Sequence, residues 1–147
     1  MTEHVLHITR VFEAPRELVF SCLIAPEHLT HFWGPTGVSA PLDQITVDAR
    51  PGGVFTTVMV NDADGSTYPT SARYLEVSPP ERLSWREEHS GMTVTATFTD
   101  LGDDRTQIDI LQTNVPAPML APEAQAGFRT SLDRFAAHLA QLTRAER

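Results

Sequence analysis

The order of apolar and polar positions along the chain predicts one strand, two short helices, six further strands and a long closing helix. Residues 4–13, HVLHITRVFE, carry β-branched side chains in partial alternation, the mark of a half-buried strand. The next stretch, APRELVFSCL, opens with Pro15, a residue favoured in the first helical turn, and Leu18, Val19, Cys22 and Leu23 recur at helical spacing. Pro26 breaks that helix, and EHLTHFW forms a second short one that stops at Gly34-Pro35. Strands follow near 38–48, 53–61, 67–77, 82–89, 92–100 and 105–113, divided by turn signals such as Asp62-Ala63-Asp64-Gly65, Pro79-Pro80 and Gly102-Asp103-Asp104. Their short connections predict antiparallel neighbours.

Two features of the pattern go further. Taking Ser90-Gly91 as a two-residue turn pairs His89 with Met92, Glu87 with Val94, Trp85 with Ala96 and Leu83 with Phe98, all on one face. Ser84, Arg86, Glu88, Thr93, Thr95 and Thr97 then share the opposite, solvated face. In the tail, PEAQAGFRTSLDRFAAHLAQLTR, residues Phe128, Leu132, Phe135, Leu139 and Leu142 form one apolar stripe. A helix of about 22 residues spans ~33 Å, and with no second helix of that length its stripe must lie on the sheet. Gly127 interrupts it at a cost of ~1 kcal/mol relative to Ala, which points to close backbone approach or to room left beside it.

Composition narrows the class. At 147 residues the chain suits one domain, residues 1–147, able to bury roughly 70% of its unfolded surface. A net charge of −8 gives no reason to expect nucleic acid or an anionic membrane as partner. All eleven basic residues are Arg, so Schiff-base chemistry and a P-loop lysine are excluded. Cys22 is the single cysteine, so no disulfide can form within the chain, and its apolar setting suggests an inert core thiol. MTEHVLHITR has neither the basic nor the apolar part of a signal peptide, and no run reaches the ~18 apolar residues of a membrane span. A cytoplasmic location is expected.

Specific phrases carry a family resemblance. RVFEAPRELVF, PEHLTHFWGP, DARPGGVF, YLEVSPPERLSW and GFRTSLDRFAAHL, in this order over about residues 6–142, resemble the START-like SRPBCC superfamily. They are most similar to the branch named for the activator of the heat-shock protein (Hsp) ATPase. The resemblance implies an α+β helix-grip fold, in which a curved antiparallel sheet of about seven strands wraps a long C-terminal helix and often encloses an apolar cavity. Relatives bind lipids, hormones or polyketide-like molecules, and some are cyclases or aromatases. Activation of the heat-shock ATPase belongs to larger eukaryotic members with a further N-terminal domain, so that partner is not expected. Departures from the pattern are Ala72 for a frequent Gly, Arg86-Glu87 for a Thr-Trp pair and Phe128 for a Trp. The last two alter a pocket more than the fold.

Candidate chemistry is sparse. The glycine pair in DARPGGVF leads into VFTTVMV, a strand, so no helix N-terminus is available to hold a phosphate, and Pro51 lacks an N–H. It reads as a chain corner tied by Asp48 and Arg50. Glu87 and His89, on the predicted inner face with Trp85, Val94 and Phe98, could line a pocket mouth or act as an acid–base pair. His28 and His31 have a spacing that metal sites can use, but neither a Cys nor a third His has an evident reason to join them, so a surface position and no metal are expected. His4 and His7 give no ligand pattern, and no G-x-S-x-G, Cys–His or H-E-x-x-H signature occurs. Trp33, Phe55, Met59, Trp85, Val94, Phe98, Phe128, Leu132 and Phe135 suit the lining of an apolar cavity, with Glu87, His89, Gln112 and Tyr68 as polar members.

The leading reading is therefore a protein that binds a small, largely apolar molecule between sheet and helix, without a cofactor. The alternatives are a polyketide cyclase- or dehydratase-like enzyme using Glu87 and His89, and a co-chaperone-like interaction module. A homodimer stays open.

Overall fold

Alternating apolar positions pair seven of the chain's strand segments into one continuous antiparallel ladder. A computed structural model describes residues 4–145. Its strands are β1 (Leu6–Phe12), β2 (Val38–Ser39), β3 (Thr46–Val47), β4 (Val54–Asn61), β5 (Thr67–Ser78), β6 (Arg82–Glu87), β7 (Thr93–Gly102) and β8 (Arg105–Thr113). Helices α1 (Arg16–Leu23) and α2 (Pro26–Phe32) follow β1, and α3 (Pro122–Ala145) closes the chain. The sheet order is β1-β8-β7-β6-β5-β4-β2, with β3 also on β4. This is the α+β helix-grip architecture, a curved open sheet with a long C-terminal helix.

Three expectations need correction. The stretch 38–48 is not one strand. Pro41, which has no N–H to give a ladder, precedes a 3₁₀ turn at Leu42–Gln44, and only the flanking pairs join β4. The β6–β7 register also differs by two residues: Trp85 faces Val94 and Leu83 faces Ala96. The Glu87 N–H donates to the Met92 carbonyl and the Glu87 carbonyl accepts from the Gly91 N–H, enclosing the loop Glu88–Gly91. Gly91 takes φ of 75° as the last residue of that loop, rather than sitting within a two-residue turn. Because strand side chains alternate with period two, a two-residue shift leaves every strand residue on its expected face. It does remove His89 from the strand. Ser84 departs from its expected environment as well, being buried on the outer face beside the Thr95 hydroxyl at 3.1 Å.

The DARPGGVF stretch is a corner between β3 and β4. Arg50 Nε meets Asp48 Oδ2 at 2.8 Å, Gly52 has φ of 82°, and Gly52 N–H and Gly53 C=O bond to the backbone of Tyr74. A Cβ on Gly53 would stand 2.0 Å from the Asp48 carbonyl oxygen, so only glycine fits.

Helix α3 lies on the sheet through its predicted stripe. Phe135 is sandwiched between Phe12 of β1, at 5.0 Å between ring centroids, and Phe32 of α2, stacked at 4.2 Å. Phe98 is buried against Phe20 of α1 at 5.2 Å. Polar ties hold the middle of α3 to its neighbours. Arg10 reaches Asp133 at 2.7 Å, while Arg134 Nη1 donates to the carbonyls of Gly34, Pro35 and Val38 at 2.7–3.1 Å. Arg134 thereby clamps α3 to the loop that leaves α2. Among the described residues no helix is long and apolar enough to cross a membrane.

Candidate functional site

The inner face of the sheet brings an aromatic group together from three parts of the chain. Trp33 ends α2, where its N–H still bonds to the Leu29 carbonyl and its backbone turns extended. Phe55 points inward from β4 and Trp85 from β6. Trp33 lies 5.1 Å from Phe55 and 6.3 Å from Trp85, and the Phe55 and Trp85 rings meet perpendicularly at 5.7 Å. Phe55 is buried, whereas both tryptophans remain half-buried. The edge-to-face arrangement is the one favoured by ring quadrupoles.

Strand pairing places the polar candidates around this group. One row across the sheet runs Tyr74, Trp85, Val94, Gln112, Leu6, and the next runs Phe55, Ala72, Glu87. Glu87 is half-buried, and neither its carboxyl nor the Gln112 amide takes part in the side-chain hydrogen bonds formed among the described residues. Burial pushes the Glu87 carboxyl above its usual value, with the charge of His89 offsetting part of the rise. Gln112 is only 5% exposed, as its even spacing from Ile108 and Ile110 predicts.

The other candidates are distributed as follows. His89 is exposed in the β6–β7 loop. Met59 is half-buried on β4 opposite Tyr68, which is 49% exposed. Val94 is buried beside Trp85. Phe128 is half-buried on the N-terminal half of α3, while Leu132, one turn on, is buried in the core with Phe98.

Within the aromatic group, Tyr74 escaped the sequence reading. Tyr74 stacks on Phe55 at 5.8 Å, and its hydroxyl is buried with no hydrogen-bond partner among the described residues. Burial raises its pKa further above the usual phenolic value. The signal was available, since Tyr74 is two residues beyond inward-facing Ala72, but tyrosine alternation alone cannot tell a core ring from a site. A buried unpartnered hydroxyl calls for an explanation, and a missing acceptor is the simplest.

A second group lies at the opposite side of α2. The sequence offered no partner for His28 and His31, but folding supplies two. His138 of α3 meets His28, and buried Cys22 of α1 stands beside both, so that their ligand atoms lie within 4.8 Å of one another. These side chains are of the types that hold zinc-like metals.

The fold and the aromatic inner face define a START-like helix-grip protein. Residues 13–140 match the family described as Activator of Hsp90 ATPase homolog 1-like protein, and the chain belongs to that family. Among solved structures it is similar to a protein from Chromobacterium violaceum, with 27% identity over 92% of this chain and 97% of that one and a TM-score of 0.82. A protein from Nitrosomonas europaea shows 26% identity, coverage of 95% and 96%, and a TM-score of 0.80. The AHSA1 protein from Silicibacter pomeroyi, at 24% identity with 94% and 99% covered and a TM-score of 0.77, shares the fold. A search of curated proteins finds no match.

Proposed function

We propose that the protein binds a small, largely apolar molecule at the inner face of the sheet, beside Trp33, Phe55 and Trp85 and beneath the N-terminal half of α3. The observation that carries this reading is an aromatic group whose two tryptophans stay half-buried beside Glu87, Gln112 and a buried Tyr74 hydroxyl that has no hydrogen-bond partner among the described residues. Apolar burial supplies the affinity, at roughly 25 cal/mol per Å². The polar groups orient the ligand: Tyr74 donates, Gln112 donates or accepts, and Glu87 does whichever its protonation state allows.

The test is native mass spectrometry of the protein as purified, against its denatured mass, followed by titration of apolar compounds read by tryptophan fluorescence. A retained small molecule, or saturable quenching, is expected. Trp85→Ala should weaken binding by at least about tenfold while leaving the fold intact by circular dichroism. A bare mass with no thermal shift across an apolar library would sink the proposal. The raised Glu87 pKa also favours a second reading, a cyclase- or dehydratase-like enzyme with Glu87 as proton donor; Glu87→Gln would then abolish turnover of the bound compound without weakening its binding. His89, on the loop, is poorly placed to share that task.

A further inference from the structure

Three helices that are separate in sequence converge on one cluster of metal-ligating side chains. His28 Nδ1 and His138 Nε2 lie 2.9 Å apart, a hydrogen bond in which one nitrogen carries the proton and the other offers its lone pair. Cys22, fully buried on α1, completes the group. His31 stacks on the His138 ring at 4.8 Å and 15°, fixing its plane. We propose that Cys22, His28 and His138 form a binding site for one borderline divalent cation, zinc by donor type, with water as the fourth ligand.

The chemistry fits. One thiolate and two imidazoles suit zinc, which prefers four-coordinate tetrahedral sites and, where only three ligands are protein, keeps an open position. The hydrogen bond brings two ring nitrogens to one point, and a metal there would need the donor nitrogen to give up its proton and the rings to turn so that both lone pairs aim at it. With metal–nitrogen bonds of 2.0–2.1 Å, tetrahedral geometry needs the nitrogens ~3.3 Å apart, so the pair must open by a few tenths of an ångström. The Cys22 sulfur lies within 4.8 Å of both nitrogens, so it need close by at most about 1 Å.

Protons balance as follows. In the metal-bound form each neutral imidazole holds its one proton on its outer nitrogen, which asks a tautomer change only of the imidazole that donates in the apo pair, while the Cys22 S–H bond breaks and releases its proton to solvent as the metal–sulfur bond forms. A bound dication supplies the charge that makes loss of the thiol proton favourable.

His31 is excluded as the fourth ligand by its stacking. A metal on His138 Nε2 lies in the His138 ring plane, whereas the lone pairs of a nearly parallel neighbour lie in another. A surface groove of about 220 Å³, lined by His31, Arg134, Ala137, His138 and Gln141, brings solvent to His138 and provides an entry path. The guanidinium of Arg134 is turned to backbone carbonyls, which accept its donors.

The experiment is titration of the reduced protein with cobalt(II), followed by absorption and native mass spectrometry, then displacement with zinc. One cobalt per chain is expected, with a thiolate-to-cobalt charge-transfer band and the strong visible bands of a tetrahedral site, all erased by one equivalent of zinc. Cys22→Ala should remove the charge-transfer band. Because Cys22 is in the core, His28→Gln on half-buried α2 serves as the second variant, and should weaken binding by at least about tenfold with circular dichroism unchanged. Absence of stoichiometric binding, a spectrum without the thiolate band, or unchanged affinity in His28→Gln would each overturn the assignment.

Discussion

Glu87 shows how a single side chain takes its chemistry from its surroundings. On the sequence it is one of 19 acidic residues; on β6 it faces the inner side, half-buried beside Met92, and its carboxyl titrates above the usual 4.5. A raised folded-state pKa means that the folded chain holds the proton more tightly than the unfolded one. The resulting stabilisation is complete below the unfolded value and is lost as pH rises through the folded value. At neutral pH the buried charge is a burden. Glu87→Gln should therefore raise Tm at pH 7 by about one to two degrees, and this advantage should vanish below about pH 4. Thermal melts across that range check it; a lower Tm for the variant at pH 7 would mean that the carboxylate is well satisfied.

At the scale of elements, two glycines with similar sequence signals have opposite meanings. Gly53, in the β3–β4 corner, has the Asp48 carbonyl where a Cβ would stand, so Gly53→Ala should cost on the order of 3 kcal/mol. Gly127 interrupts α3, and a Cβ there would meet Pro35 at an ordinary 3.6 Å. Gly127→Ala should then stabilise the protein by about 1 kcal/mol through helix propensity alone. Urea denaturation of both variants separates the two cases, and a destabilised Gly127→Ala would show that the helix needs the space. The β6–β7 hairpin carries the same lesson. Alternation placed its side chains on the correct faces, but the register depended on loop length, and the Ser-Gly pair could not reveal that it closes a four-residue loop.

For the molecule as a whole, the joint between α3 and the sheet passes through Phe135. Its ring touches β1 through Phe12 and α2 through Phe32, linking layers that no backbone ladder connects. Phe135→Ala should cost about 3–5 kcal/mol, read as a lowered urea midpoint. A loss below about 1 kcal/mol would mean that the helix is held mainly by its polar ties, Arg10–Asp133 and Arg134 to the loop after α2.

Apart from the stretch 38–48, which a 3₁₀ turn breaks, the sequence by itself determined the elements, the faces of the strands, the stripe of α3 and the corner at Asp48–Gly53, because each follows from local periodicity or backbone sterics. Five ordered phrases also sufficed to place the chain in its family. Tertiary structure decided the rest. Whether Trp33 meets Trp85, whether the Tyr74 hydroxyl finds a partner, and that His138 closes on His28 and Cys22 all depend on where helices pack, 110 residues apart in the case of the two histidines. Such packing is set by shape and burial summed over the entire core, and no local pattern encodes it.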